Sequence, residues 1–134
     1  MWQERAAAVL EARTTEPVAD AVVDRWLTPP FAVERPEIRA RLRAMLLDCD
    51  PAGYAACCGA IERMDLRAEL PRIAAPALVI SGSDDPATPV EHQRLIADAI
   101  PSARHEVVAP ASHIAAVERP EAVTALIRAG YVSQ

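Results

Sequence analysis

Two short stretches of this 134-residue chain bring together residue types that can move a proton. One is Leu78-Val79-Ile80-Ser81-Gly82-Ser83-Asp84-Asp85-Pro86-Ala87-Thr88-Pro89. The other is Ala111-Ser112-His113-Ile114, with Glu118-Arg119-Pro120 just behind it. A histidine works as a general base when one ring nitrogen is held as a donor and the other is left to accept a proton. A carboxylate facing the donor nitrogen fixes that tautomer and stabilises the imidazolium formed during reaction. An acid from the first stretch and His113 from the second have the chemistry for those two roles. The competing readings are a loop carboxylate or helix-capping partner for the acid, and a packing or helix-start residue for His113. The other two histidines read as structural, His92 on the exposed face of an amphipathic helix and His105 inside a strand.

The elements around these stretches place them at the ends of strands. Ala77-Leu78-Val79-Ile80 is a short, continuous apolar run closed by Ser81-Gly82, the pattern of a strand buried on both faces of a parallel sheet. Thr88-Pro89-Val90-Glu91 has the form of a capping box, with a hydroxyl at the N-cap and a carboxylate three residues on. The helix it would open carries Leu95, Ile96, Ala99 and Ile100. A second strand is expected over residues 104–108, and a last helix from Pro120 to Gly130. The order strand, helix, strand, helix implies a right-handed crossover in a parallel sheet, whose active sites lie at the carboxyl ends of the strands. Two strands cannot bury both faces and both edges of such a sheet, so the sheet is expected to be incomplete.

Residues 1–70 read instead as successive helices. Trp2, Ala6, Val9 and Leu10 form one helical stripe. A second helix is expected from Pro17, with Val18, Val22 and Trp26 on one face, stopped by Thr28-Pro29-Pro30. A third opens at Pro36 and buries Ile38, Leu42, Met45 and Leu46. A fourth has Asp50 as N-cap and Pro51 next, and gathers Tyr54, Cys57, Cys58 and Ile61. The remaining faces are rich in Arg and Glu, so these helices read as a covering layer and not as a large core.

Composition excludes several classes of function. The formal charge is −5, which gives no basic footprint for a nucleic-acid partner. No apolar run approaches a membrane span, and Met1-Trp2-Gln3-Glu4-Arg5 lacks the basic start of a signal peptide. Cys49, Cys57 and Cys58 form neither a disulfide framework nor a zinc motif; free thiols fit a cytoplasmic protein, and Cys57-Cys58 reads as small buried filler. No Gly-rich phosphate loop is present.

An acid after one strand, in a G-x-x-D-x-x-x-P setting, and a histidine after the next resemble the C-terminal signature of the α/β-hydrolase superfamily. By that resemblance Asp85, with its spacing to Thr88 and Pro89, is the acid in preference to Asp84. Within the superfamily the chain resembles the 3-oxoadipate enol-lactonases of aromatic breakdown through the β-ketoadipate pathway. The stretches that carry this are Asp24-Arg25-Trp26-Leu27-Thr28-Pro29-Pro30-Phe31 and Pro51-Ala52-Gly53-Tyr54-Ala55-Ala56-Cys57-Cys58, with Asp85-Pro86-Ala87-Thr88-Pro89 and Ser112-His113. The resemblance implies a helical lid over residues 1–70 and the C-terminal part of the hydrolase core over 71–134. It also implies hydrolysis of a small anionic lactone or ester by a Ser-Asp-His mechanism with no metal or organic cofactor. Arg25 would meet the substrate carboxylate and Trp26 would supply an apolar wall; the competing reading makes Trp26 a packing residue and Arg25 a solvated one.

The nucleophile of that mechanism is not in these residues. The serines stand at 81, 83, 102, 112 and 133, and none has Gly two before and two after, so the G-x-S-x-G elbow is absent. The family pattern places it upstream. The expectation is a lid plus the acid-and-base half of a hydrolase, inactive alone and completed by an N-terminal chain that carries the elbow. Other readings are an esterase or a cofactor-free haloperoxidase on the same scaffold, or a non-catalytic module that forms a homodimer through its unpaired sheet edge.

Overall fold

The computed structural model describes residues 1–132. Contacts divide the chain into two compact units, one of residues 1–24 and 32–65, the other of residues 25–31 and 66–134. Residues 25–31, at the end of the second expected helix, thus group with the strand-bearing part of the chain.

The first unit is helical. Helices α1 (Trp2–Ala12), α2 (Glu16–Trp26, up to Asp24 in this unit), α4 (Pro36–Leu47) and α5 (Pro51–Arg63) make it up, with the short α3 (Pro29–Glu34) between α2 and α4. Proline at the first or second position starts α4 and α5, and the Asp50 carboxylate accepts the Gly53 N–H at 2.6 Å, so α5 is capped as expected. Thr28-Pro29-Pro30 does end α2, but the prolines then open α3, because their fixed φ suits a first helical turn. Val9, Val18, Ala19, Val22, Val23, Leu46, Ala55 and Cys58 are buried. Leu10, Met45 and Ile61 are exposed, as is Cys57, so the stripes are narrower than helical periodicity suggested and only Cys58 is buried filler.

The charged faces of α2 and α4 are not simply solvated. Arg39 binds Asp24 at 2.7 Å and Asp20 at 3.0 Å, while Arg43 binds Asp20 at 3.2 Å and also Glu16. The two guanidinium groups hold the Asp20 carboxyl below its usual range. Beneath them the buried Thr15 hydroxyl donates to the Leu46 carbonyl at 2.7 Å, joining the start of α2 to the end of α4.

The second unit carries the sheet. Strands β1 (Ala77–Gly82) and β2 (Ala103–Val108) pair in parallel, from Ala77 opposite Ala103 to Gly82 opposite Val108, with α6 (Val90–Ala99) as the crossover. Helices α7 (Ala115–Glu118) and α8 (Pro120–Val132) follow. Val108, Ala111, Ala115 and Val123 form its core, with Ile80 and Leu126 packed against them. Among the described residues the sheet has two strands, and Ala77 to Ile80 are only half-buried, not enclosed on both faces. Leu95 and Ile96 on α6 are likewise exposed. The last helix passes through Gly130 without a break, since a helical glycine costs only about 1 kcal/mol and need not act as a stop.

One glycine fixes the upper end of this unit. A Cβ on Gly82 would lie 2.2 Å from the Ser112 carbonyl oxygen and 2.5 Å from that of Ala111. The backbone of the histidine loop therefore rests directly on the tip of β1. Replacing Gly82 with Ala is expected to destabilise the protein by about 3 kcal/mol, the upper range for over-packing. Urea denaturation reads this as a lowered midpoint, and an unchanged midpoint contradicts the close approach.

Candidate active site

The ends of β1 and β2 are stitched together before any side chain is considered. Ser83 N–H donates to the Val108 carbonyl and Asp84 N–H to that of Ala111, each at 2.9 Å. These bonds curl the residues after β1 over those after β2, so Asp85 turns inward while Asp84 remains exposed. The Asp84 carboxylate only accepts the Ser83 hydroxyl, at 2.6 Å.

Asp85 is buried, with 4% of its side chain exposed, and both oxygens are occupied. Oδ1 accepts the N–H groups of Ala87 at 2.7 Å and Thr88 at 3.0 Å, an Asx-type turn that pins the carboxylate to its own loop. Oδ2 accepts the Thr88 hydroxyl at 2.8 Å and faces Nδ1 of His113 at 2.9 Å. An ionised carboxylate can only accept, so Nδ1 carries the proton and Nε2 is the basic nitrogen. The imidazole is 36% exposed, and no hydrogen bond from the described residues reaches Nε2. Burial pushes the Asp85 carboxyl up, but the hydrogen bonds from His113, the Thr88 amide and hydroxyl and the Ala87 amide outweigh it and hold the group below its ordinary value.

The capping box expected at Thr88 does not form. The N-cap of α6 is Pro89, with no side-chain cap, because Thr88 lies one residue earlier and its hydroxyl lone pairs face Gln93 Nε2 and His113 Nδ1. That hydroxyl also accepts an N–H from the Gln93 amide at 3.1 Å and lies 3.4 Å from His113 Nδ1.

Arg25 lies close to this pair. Its guanidinium donates to the carbonyl of Pro86, the residue after Asp85, at 3.3 Å. Both Arg25 and Trp26 are half-buried, so neither is a plain surface residue nor a core one. Their backbone is tied to the histidine loop: the Ser112 hydroxyl donates to the Arg25 carbonyl at 3.0 Å, and Ile114 N–H donates to the Trp26 carbonyl at 3.0 Å. His105 is engaged elsewhere, its Nε2 lying 2.6 Å from the buried Ser81 hydroxyl, and His92 is exposed on α6. No cluster of His, Cys, Asp or Glu suited to a metal occurs among the described residues.

Glu118 was not singled out from the sequence as a site residue, yet it organises this region. It is 3% exposed, and its carboxylate accepts the N–H of Thr28 through one oxygen and that of Ser112, at 3.2 Å, through the other. One buried acid thereby clamps the segment carrying Arg25 and Trp26 to the residue before His113. The only hint in the sequence is an acid closing the apolar run Ile114-Ala115-Ala116-Val117, which also describes many exposed helix ends.

A parallel strand–helix–strand unit with an acid and a histidine meeting above adjacent strand tips has counterparts. The family model for the alpha/beta hydrolase fold matches residues 42–120, more than half of the chain. The chain belongs to the α/β-hydrolase fold family. Its two strands and flanking helices form part of that fold. The chain is 40% identical over 128 residues to 3-oxoadipate enol-lactonase 2 of Acinetobacter baylyi, a match covering 96% of the chain and 47% of that relative. The enol-lactonase structure from Burkholderia xenovorans LB400 matches with a TM-score of 0.92 and 38% identity, covering 98% of the chain and 50% of its own. A thermophilic esterase from Thermogutta terrifontis, with malate bound, matches with a TM-score of 0.86 and 30% identity over similar shares. The chain thus spans about half the length of the relatives it matches, and it is enol-lactonase-like over that half. No helix among the described residues is long and apolar enough to cross a membrane.

The Asp85 carboxyl titrates lower in the folded protein than in the unfolded chain. It therefore adds stability above the unfolded value of about 3.9 and loses that contribution as pH falls through the lower folded value. The stability difference between the wild type and Asp85→Asn is expected to be full at pH 6 and to shrink as pH drops below about 4. Urea titrations across that range check it, and a difference independent of pH contradicts the assignment.

Proposed function

We propose that Asp85 and His113 are the orienting acid and the general base of a serine-type hydrolase that opens a small anionic lactone or ester. The observation that carries this is the 2.9 Å contact between Asp85 Oδ2 and His113 Nδ1, made by a buried carboxylate whose other oxygen is fully occupied. That arrangement leaves Nε2 as the basic nitrogen, with no hydrogen bond from the described residues, as a general base requires.

The steps follow from that nitrogen. Nε2 takes the proton of a nucleophilic hydroxyl as its oxygen attacks the lactone or ester carbonyl, and Asp85 stabilises the resulting imidazolium. The imidazolium then returns the proton to the departing ring or ester oxygen, leaving an acyl-enzyme. Nε2 next deprotonates a water that attacks the acyl group, and the proton passes back to the nucleophile as the acid is released. In this reading Arg25, which donates to the Pro86 carbonyl, pairs with a substrate carboxylate, and Trp26 supplies an apolar wall. The steps as written use side chains alone and require no metal or organic cofactor. Residues 1–70 act as the lid in this reading, and the setting is the cytoplasmic breakdown of aromatic compounds, in keeping with the likeness to enol-lactonases. The likeness to an esterase favours simple esters as a second substrate class.

The 134 residues contain no G-x-S-x-G, so the nucleophile and its oxyanion donors come from a segment outside them. The purified 134-residue chain is expected to show no turnover of an enol-lactone or a nitrophenyl ester. Association with a complementary N-terminal chain bearing the elbow is expected to produce it. In that pair His113→Ala abolishes activity, and Asp85→Asn lowers kcat by about 10⁴-fold, the cost of losing the correct imidazole tautomer in comparable triads. Activity indifferent to both substitutions sinks the proposal.

A further inference from the structure

Gln93 takes no part in those steps, and Thr88 was expected to cap a helix, yet both are built into the acid–histidine pair. We propose that Gln93, acting through the Thr88 hydroxyl, is a positioning residue that holds the hydroxyl proton on Asp85 Oδ2. This inference rests on the roles proposed above for Asp85 and His113, and adds to them the contact that keeps the Thr88 donor on the carboxylate.

The argument is a count of protons and lone pairs around one oxygen. Thr88 Oγ1 has three polar neighbours: Asp85 Oδ2 at 2.8 Å, Gln93 Nε2 at 3.1 Å and His113 Nδ1 at 3.4 Å. A hydroxyl offers one proton and two lone pairs. The Gln93 amide nitrogen carries only hydrogens, so a lone pair must face it. The ionised carboxylate offers only lone pairs, so the hydroxyl proton must face Oδ2. The remaining lone pair faces Nδ1–H, which makes its shorter bond to Oδ2. One arrangement satisfies every atom.

Without the Gln93 N–H that arrangement loses its constraint. The Thr88 side chain can then rotate and carry its hydroxyl away from Oδ2. Asp85 would lose one of its four donors while remaining buried, and an unmet charge there favours protonation of the carboxyl. With that donor gone, Nδ1–H of His113 is the one described donor left on Oδ2, and the carboxylate that fixes the ring is held less firmly. Gln93 is suited to prevent this, being half-buried on the first turn of α6 and held by its backbone bond to the Pro89 carbonyl.

The experiment follows the Asp85 carboxyl carbon by NMR as a function of pH in the full 134-residue chain, with thermal midpoints recorded alongside. The charged groups around Asp85 are His113 from the loop after β2, Arg25 at the Pro86 carbonyl, and Asp84, turned away toward Ser83. None of them changes in Gln93→Met, Thr88→Val or Thr88→Ser. The wild-type midpoint is expected below about 3.9. Thr88→Val should raise it by about one pH unit, the size of one hydrogen bond to a charged group. Gln93→Met should move it in the same direction with the thermal midpoint kept, and Thr88→Ser should restore the wild-type value. A Gln93→Met midpoint equal to that of the wild type overturns the proposal, as does a Thr88→Ser midpoint that follows Thr88→Val. Failure of the hydrolase reading would look different: reconstituted activity indifferent to His113→Ala, with these titrations as expected.

Discussion

A carboxylate taken almost wholly out of water has to find a donor for each of its lone-pair directions, and the upper end of the strand-bearing unit is shaped by that requirement at Asp85. Two backbone amides from the following turn fill Oδ1, and the Thr88 hydroxyl and the His113 ring fill Oδ2. Three of the four donors come from within three residues of Asp85, so the loop after β1 can form this site locally. The fourth must arrive from across the sheet. That is why Gly82 matters: only a residue without a side chain lets the Ala111 and Ser112 carbonyls settle onto the tip of β1 and bring His113 within reach.

A second buried acid does different work nearby. Glu118 satisfies two backbone amides, one from Thr28 and one from Ser112, and so takes on a structural duty. With the Ser112 hydroxyl on the Arg25 carbonyl and the Ile114 amide on the Trp26 carbonyl, it makes residues 25–31 part of the same unit as the histidine loop. The Arg25 bond to Pro86 therefore lies within one unit. In this chain one buried carboxylate faces His113, and the other holds the loops on which His113 and Arg25 stand.

Much of this was legible before any coordinates. A short apolar run ending in Ser-Gly and prolines at helix starts are local signals, and they marked β1 and helices α4 and α5. The Asp50 cap was readable for the same reason, since a cap is satisfied within its own turn. Contacts that depend on distant partners were not. Thr88 had the spacing of a capping box, but its hydroxyl faces Asp85, Gln93 and His113 instead, partners that the capping pattern does not show. Met45, Leu10 and Leu95 share a helical period with buried residues and are nevertheless exposed, because periodicity identifies a face and not what covers it. Nothing local marks Glu118, since its partners, 90 and 6 residues away, leave no trace in the pattern around it.

The most direct test is to ask which ring nitrogen of His113 bears the proton. Nitrogen-15 NMR of the histidine-labelled chain at pH about 9, where imidazole groups are neutral, resolves the two nitrogens. Hydrogen bonding to Asp85 predicts a proton on Nδ1 and a bare Nε2 in the wild type, with the preference lost in Asp85→Asn. A wild-type ring protonated mainly on Nε2, or one that Asp85→Asn leaves unchanged, would contradict the arrangement on which the rest depends.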